Sequence, residues 1–425
     1  VSSLGDVRNW AGNIEFSTRD VRRPTSVAEL QDFVRDARLV HALGTGHSFN
    51  TVADTTGLLV STRDLPIDVE VLEDGDGGAV AVAVVPGGAT YAEVAAALHE
   101  RGWALHNLGS LPHISVAGAC ATGTHGSGVG NGALATAVVG LELVRADGEL
   151  VQVHDDDPEL AGMVVSLGAL GVVTRLWLRV EPTYDVSQDV LLDVPVATAV
   201  EHAEEILGSA YSVSLFSAFG DPTRLDSVWR KHRVDAGPAD DRTWGGSEAL
   251  EAVHPLRGLD AAAATQQLGK PGPWHHRLPH FRYEFTPSVG DELQSEYFLQ
   301  RSDAGAALEA LAARSAELRG ALQVFEMRTI AADELWLSPF RGRDTVAVHA
   351  TWVSDLAVVR PALEALEDLL APFDPRPHWG KVSLGFDAGR LARLHPESGR
   401  FTALAERMDP EGCFVTDHLV RVGLR

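Results

Sequence analysis

Between Gly109 and Gly132 the chain carries seven glycines, in the run GSLPHISVAGACATGTHGSGVGNG. A regular helix or strand does not tolerate that density, because each glycine loses more conformational entropy on ordering than any other residue and offers no side chain to pack. Such a run builds a wall of bare backbone around a cavity. A second loop, Leu43-Gly44-Thr45-Gly46-His47-Ser48, follows an apolar β-type run at Leu39–Leu43. Its two glycines let successive backbone N–H groups converge on an anion, and the missing Cβ atoms admit a pyrophosphate at close range. Taken alone, this pattern also fits a tight surface turn with a solvated histidine, and the longer run also fits a close-packed crossover. Together, roughly 60 residues apart, they argue for one large, extended cofactor. The loops are not standard nucleotide motifs: no G-K-[ST] follows, and the spacing does not match the G-x-G-x-x-G that opens a dinucleotide-binding helix.

The chain's 425 residues exceed the ~250–300 at which a single hydrophobic core stops growing, so two domains are expected. With 45% hydrophobic and 22% charged residues the composition is that of a soluble globular protein rather than a disordered chain. Its 35 basic and 59 acidic residues leave a net charge of −24, a field that repels phosphate backbones and anionic membrane surfaces. Nucleic acid and membrane are therefore not expected as partners. Cys120 and Cys413 are the only cysteines, which rules out a disulfide framework and suits a reducing compartment. No apolar run approaches the ~18 residues of a membrane span, and no signal-type segment follows Val1, so the expectation is a cytoplasmic enzyme.

From 20 to 180, short β-type runs alternate with helical patterns. Ser26 precedes a helix with Leu30, Phe33 and Val34 at helical spacing; Thr90 precedes another running to about His99. Strands are expected at Leu58–Ser61 and Leu170–Val180, with hairpins pairing Val69–Leu72 with Ala79–Val85 across Glu73–Gly78, and Leu141–Val144 with Leu150–Val153 about Asp147-Gly148. From 182 to 384 the character changes. Strand patterns at 187–193, 211–218, 281–286, 323–330 and 345–353 mix with helices near 197–207, 303–318 and 357–371, which indicates an α+β unit. The Gly- and Pro-rich stretch 234–275 reads as a long excursion or lid.

Two of these strands carry polar pairs. The two-residue strand period puts Glu326 and Arg328 on one face, with Phe325 and Met327 opposite, and puts His349 and Thr351 on one face, with Val348 and Ala350 opposite. The ordinary reading is a structural ion pair and a core histidine. Lysine usage shifts the balance: Lys231, Lys270 and Lys381 are the only lysines among 35 basic residues, so Lys381 in His378-Trp379-Gly380-Lys381 is not casual surface charge. The histidines at 41, 47, 113 and 125 lack the short paired spacings of zinc sites, and no metal is expected; His275, His276 and His280 read as a lid cluster without ligand spacing.

The loop L-G-x-G-H-S after a strand, Pro86-Gly87-Gly88 before a helix, and P-x-I-S-V-A-G-x-x-x-T-G-T-H-G-x-G from Pro112 to Gly128 together resemble the vanillyl-alcohol-oxidase-type FAD family. Within it the chain is most similar to the actinobacterial alditol oxidases, from Asn9-Trp10-Ala11-Gly12 to the C-terminus, including Tyr211–Phe216, Pro271–His275, Glu284–Pro287 and Leu293–Tyr297. The resemblance implies a two-domain α+β fold: a PCMH-type FAD-binding domain at 1–181, an inserted α+β substrate domain at 182–384, and a tail, 385–425, returning to the FAD domain. It implies FAD attached covalently through His47 and contacted by Gly44, Thr45, Gly46, Ser48, Phe49, Gly109, Ser110, Ser115, Gly118, Thr122, Gly123, Thr124, His125, Gly126 and Val173. It further implies a catalytic set of Arg328, Lys381, His349, Glu326, Thr351 and Ser110. Arg328 and Lys381 would polarise the reacting alcohol, His349, oriented by Thr351, would take its proton, and Glu326 with Ser110 would hold neighbouring hydroxyls.

The implied reaction oxidises the terminal primary alcohol of an alditol such as xylitol or sorbitol, with O2 reduced to H2O2 by a monomer. Gly109, where some relatives carry alanine, favours the oxidase. A sugar-1,4-lactone oxidase or dehydrogenase of the same superfamily is the alternative. Two departures from the family pattern are Asp417, where asparagine is usual, and His106, where proline is usual.

Overall fold

The computed structural model describes residues 7–73, 81–237, 239–285 and 292–425. Local chemistry sets the first elements. Helix Val27–Asp36 starts where Ser26 Oγ accepts from the Glu29 N–H, and it buries Leu30 and Val34. Helix Tyr91–Glu100 starts on a reciprocal capping box between Thr90 and Glu93, which satisfies two N–H groups that the first turn leaves without helical partners.

Three sheets organise the described residues. A small parallel sheet has the order Val21–Arg22, Leu58–Val60, Val40–Ala42, and the Gly44–Ser48 loop leaves its last strand. A six-stranded antiparallel sheet is built around Val172–Pro182, which pairs with Ala81–Pro86 on one side and Val138–Val144 on the other. Both expected hairpins have paired arms; residues 74–78 of the first turn lie outside the described residues. The nine-stranded sheet runs Ser247–Glu248, Asp185–Leu192, Ser227–Arg233, Ser212–Ser217, Leu322–Ile330, Thr345–Val353, Glu292–Gln300, Arg376–Pro377, with Gly272–Pro273 also pairing Asp185–Leu192.

One face of this large sheet is sealed by helices. Leu293, Tyr297, Phe325, Met327, Val346 and Val348 share a core with Ile206, Leu308, Leu311, Leu363 and Leu366. The alternate residues of the same strands face the other way, toward the glycine loops. Leu391, Phe401, Leu404 and Leu419, from helices after residue 385, share a core with the six-stranded sheet, and the Val40 N–H donates to the Cys413 carbonyl at 2.9 Å.

Besides several two-residue strands, two long strands are additions to the sequence pattern. Ser227–Arg233 reads as polar, yet Arg230, Lys231 and His232 are all buried in it, and Glu292–Gln300 carries a buried glutamate at its centre. The 281–286 segment does not form the expected strand: Phe281 makes an isolated bridge to Ala264, residues 283–285 turn, and residue 286 lies outside the described residues. No helix among the described residues is long and apolar enough to cross a membrane.

Candidate active site

The polar face of the large sheet, the two glycine loops and part of the 234–285 excursion enclose a cavity of about 860 Å³. On the cofactor side its walls include Gly44, Thr45, Gly46, His47, Ser48, Phe49, Gly109, Ser110, Ser115, Gly118, Thr122, Thr124, His125 and Val173. Gly123 and Gly126 do not line it. Gly123 turns the chain at φ +69° against Pro339, and a side chain on Gly126 would run into Asn107 and the Leu108 carbonyl. The two loops are joined directly: the Ser115 N–H donates to Thr45 Oγ1 at 3.2 Å, and a Cβ on either Gly44 or Gly118 would collide with Ser115 Oγ.

His47 is held by the Trp10 indole, stacked on it at 5.0 Å between centroids and 17° between planes. Burial pushes its imidazole down to about 4, against a smaller opposing effect of the Thr45 backbone, so the ring is neutral at pH 7. Its Nδ1 is buried without a hydrogen-bond partner. A buried polar atom on a cavity wall with no protein partner is costly unless a ligand completes it.

The opposite wall comes from strand register. Phe216, Glu326, His349 and Glu296 form one row across four neighbouring strands. Val324, Thr351 and Gln294 form the next row along. Arg328 extends from the first row: its Nη1 donates to Ser110 Oγ at 3.1 Å, Nη2 lies 3.3 Å from Glu296, and Nε lies 3.3 Å from Glu326. Lys381 Nζ donates to Glu296 Oε2 at 2.7 Å and lies 2.7 Å from His349 Nδ1, while His349 Nε2 lies 3.2 Å from Thr351 Oγ1. All six residues of the expected catalytic set therefore line one cavity.

Burial lowers the Lys381 ammonium, with Glu296 opposing, and burial also lowers His349, with Lys381 adding to the effect. Burial works to raise Glu326, yet Arg328 and His280 hold its carboxyl well below the usual range. His280 itself is pushed down to about 4 by burial and then by Lys231.

Three participants escaped the sequence reading. Glu296 is 1% exposed and touches Lys381, Arg328 and, through its Oε1, His125 Nε2 at 3.2 Å. Its signal was the alternation of Glu292–Gln300, which puts Gln294 and Glu296 on the face opposite Leu293, Ser295 and Tyr297. His280 does not belong with His275 and His276; its Nε2 lies 2.8 Å from Glu326 Oε1 inside the cavity, while His275 packs beside His99. Fully buried Lys231 donates to the carbonyls of Arg277, Leu278 and Pro279 at 2.8, 2.6 and 2.9 Å, fixing the segment that carries His280. No group of three or more His, Cys, Asp or Glu side chains that could hold a metal ion occurs among the described residues.

Comparison with known proteins bears on what this cavity holds. Residues 19–154 match the family model described as FAD binding domain, and 291–422 match that described as D-arabinono-1,4-lactone oxidase. The chain is 47% identical over 416 residues to alditol oxidase of Streptomyces sp. strain IKD472, covering 97% of this chain and 98% of that protein. The chain belongs to the alditol oxidase family. More distant is L-gulono-1,4-lactone dehydrogenase of Mycobacterium tuberculosis, 29% identical over 97% of this chain and 98% of that protein. L-gulonolactone oxidase of Mus musculus is 24% identical over 98% of this chain and 97% of its own length. Among solved structures, a solvent-stable cholesterol oxidase superposes with a TM-score of 0.78 at 15% identity, covering 98% of this chain and 97% of that one, which shows a shared fold. The FAD binding domain over residues 19–154 makes FAD the cofactor, and the two-domain α+β fold is that of vanillyl-alcohol-oxidase-type flavoproteins.

Proposed function

We propose that the protein oxidises the terminal primary alcohol of an acyclic polyol such as xylitol or sorbitol to the aldehyde, with the balance R–CH2OH + O2 → R–CHO + H2O2. The observation that carries this reading is the composition of the wall facing the glycine loops. Ser110, Glu326, Arg328, His349, Thr351 and Lys381 offer both donors and acceptors in one buried cavity, which matches a ligand with many hydroxyls and no charge of its own. The 47% identity to an alditol oxidase favours a polyol over a lactone, the class named for the more distant relatives.

FAD fits the other wall, and His47, with its neutral ring and unpartnered Nδ1, is the residue suited to bond it covalently. Backbone at Gly44–Ser48 and Gly109–Gly118 would lie along the cofactor. When bound, FAD accepts the two electrons removed from the alcohol and delivers them to O2. The domain division follows: residues 1–181 and 385–425 form the cofactor unit, and 182–384 the substrate unit.

The chain's own residues prepare the alcohol. Arg328 and Lys381 bring fixed positive charge to an oxygen that becomes anionic as its proton leaves, in a site where burial strengthens every charge. The imidazole of His349 is placed by two neighbours: the Lys381 ammonium addresses Nδ1, so the ring proton sits on Nε2 toward Thr351. As Lys381 Nζ takes the hydroxyl proton it passes one of its own to His349 Nδ1, so the lysine stays an ammonium and the imidazole ends as the imidazolium. Glu326, fixed by His280, and Ser110, fixed by Arg328, orient neighbouring hydroxyls. An oxygen-electrode screen of polyols and lactones tests the reading: peroxide-forming turnover of xylitol or sorbitol is expected, and lactone turnover without peroxide would assign the rival activity.

A further inference from the structure

Glu296 is the most enclosed charge in the cavity wall, and the proposed reaction gives it no direct task. The titratable groups around it come from four elements: His125 from the glycine loop, Glu326 and Arg328 from Leu322–Ile330, His349 from Thr345–Val353, and His378 and Lys381 from the segment after Pro377. Burial works to raise its carboxyl, yet Lys381, His125 and His349 together hold it well below the usual range. It is thus a buried carboxylate in the cavity wall, in direct contact with the lysine.

A lysine in a desolvated pocket, with Arg328 close by, gives up its proton easily unless an anion touches it. Glu296 Oε2, 2.7 Å from Nζ, is that anion. The lysine's charge also controls the imidazole. An ammonium can only donate, so it forces the Nδ1 lone pair of His349 toward itself; a neutral amine offers a lone pair as well and no longer dictates the tautomer.

Resting on the proposed polyol oxidation, we infer that Glu296 is a positioning residue that keeps Lys381 an ammonium aimed at His349 Nδ1, so that one lysine proton passes to Nδ1 as the substrate hydroxyl proton replaces it on Nζ. His125, wedged between Glu296 and the Gly126 carbonyl at 2.8 Å, locks the carboxylate from the cofactor side.

The scarcity of lysine makes this directly measurable. Holoprotein labelled with 13Cε-lysine yields three signals, from Lys231, Lys270 and Lys381, and Lys381→Arg identifies the third. In Glu296→Gln the Lys381 signal is expected to titrate roughly two pH units lower than in the parent. The alkaline fall of kcat/KM for xylitol should start correspondingly lower, with kcat reduced about 10²-fold and KM changed far less. Glu296→Asp, which keeps the charge but withdraws it by one methylene, should lie between the two and serves if the glutamine variant does not fold. An unmoved Lys381 titration in either folded variant would overturn the inference. If the signal moves while the parent protein oxidises no polyol, the electrostatic role stands and the assigned substrate fails.

Discussion

Arg328→Ala separates chemistry from scaffolding. The guanidinium bridges Ser110, Glu296 and Glu326, and it is 5% exposed. Its removal leaves two buried carboxylates short of one cation, a change that costs about 3–5 kcal/mol when one partner of a buried pair is deleted. For a cooperative unit of ~200 residues this corresponds to a Tm lowered by about 10 °C at neutral pH. The pH dependence has a definite sign. Glu326 is depressed in the parent fold, so its stabilising contribution is present above its unfolded value and is lost as pH falls through the folded one. In the variant the carboxyl regains a higher pKa, so the stability gap to the parent is widest near pH 7 and narrows toward pH 4.

Circular dichroism melts of both holoproteins at pH 7.5 and pH 4.5 measure this gap. Stopped-flow anaerobic reduction by xylitol measures the chemistry, expected to slow by about 10²–10³-fold. Arg328→Lys should restore much of the Tm but little of the rate, because a compact ammonium does not span three partners set for a planar fork. A Tm gap independent of pH, or turnover lost only in proportion to bound flavin, would refute the reasoning.

His47→Ala should still bind FAD, but acid precipitation should then release all of the yellow colour, whereas the parent's pellet stays yellow; a colourless parent pellet contradicts covalent attachment. Gly109→Ala is sterically open, since the new Cβ would meet Ile114 Cδ1 and Thr124 Cγ2 only at 3.7 Å, so Tm and anaerobic reduction should be unchanged while reoxidation by O2 slows about tenfold or more, an effect of about 1.4 kcal/mol. Unaltered reoxidation there removes Gly109 from the oxygen path. Lys231→Met leaves three buried carbonyls without their donor and frees the segment bearing His280, so KM for polyols should rise about tenfold with faster proteolysis after Arg277. Unchanged KM would confine Lys231 to a packing role.

How much of this was legible in the sequence depends on the range of the interaction. The capped helices at Ser26 and Thr90 and the alternation of 322–330 and 345–353 are local signals, and the structure has them where the residues point. The glycine loops line the cavity at Gly44, Gly46, Gly109 and Gly118, whereas Gly123, Gly126, Gly128, Gly130 and Gly132 do not; at Gly126 and Gly128 the missing side chain admits the Leu108 and Tyr211 carbonyls instead. What local pattern hides is charge buried by partners far along the chain. Glu296 meets Lys381, 85 residues later, and Lys231 meets carbonyls 46 to 48 residues later, so both strands look solvated until the sheet closes. His280 was obscured for the same reason: its neighbours at 275 and 276 point elsewhere, and its partner Glu326 is 46 residues away.

The proposed reaction passes electrons from a sugar alcohol to FAD held between the glycine loops and the polar strand face. The most direct measurement is the visible spectrum of the purified protein mixed anaerobically with xylitol or sorbitol, followed by admission of air. Loss of the flavin absorbance, its full return with O2, and one equivalent of H2O2 and of aldose per cycle are the predicted results. A flavin spectrum unmoved by every alditol, or bleached only by a lactone, would contradict the account.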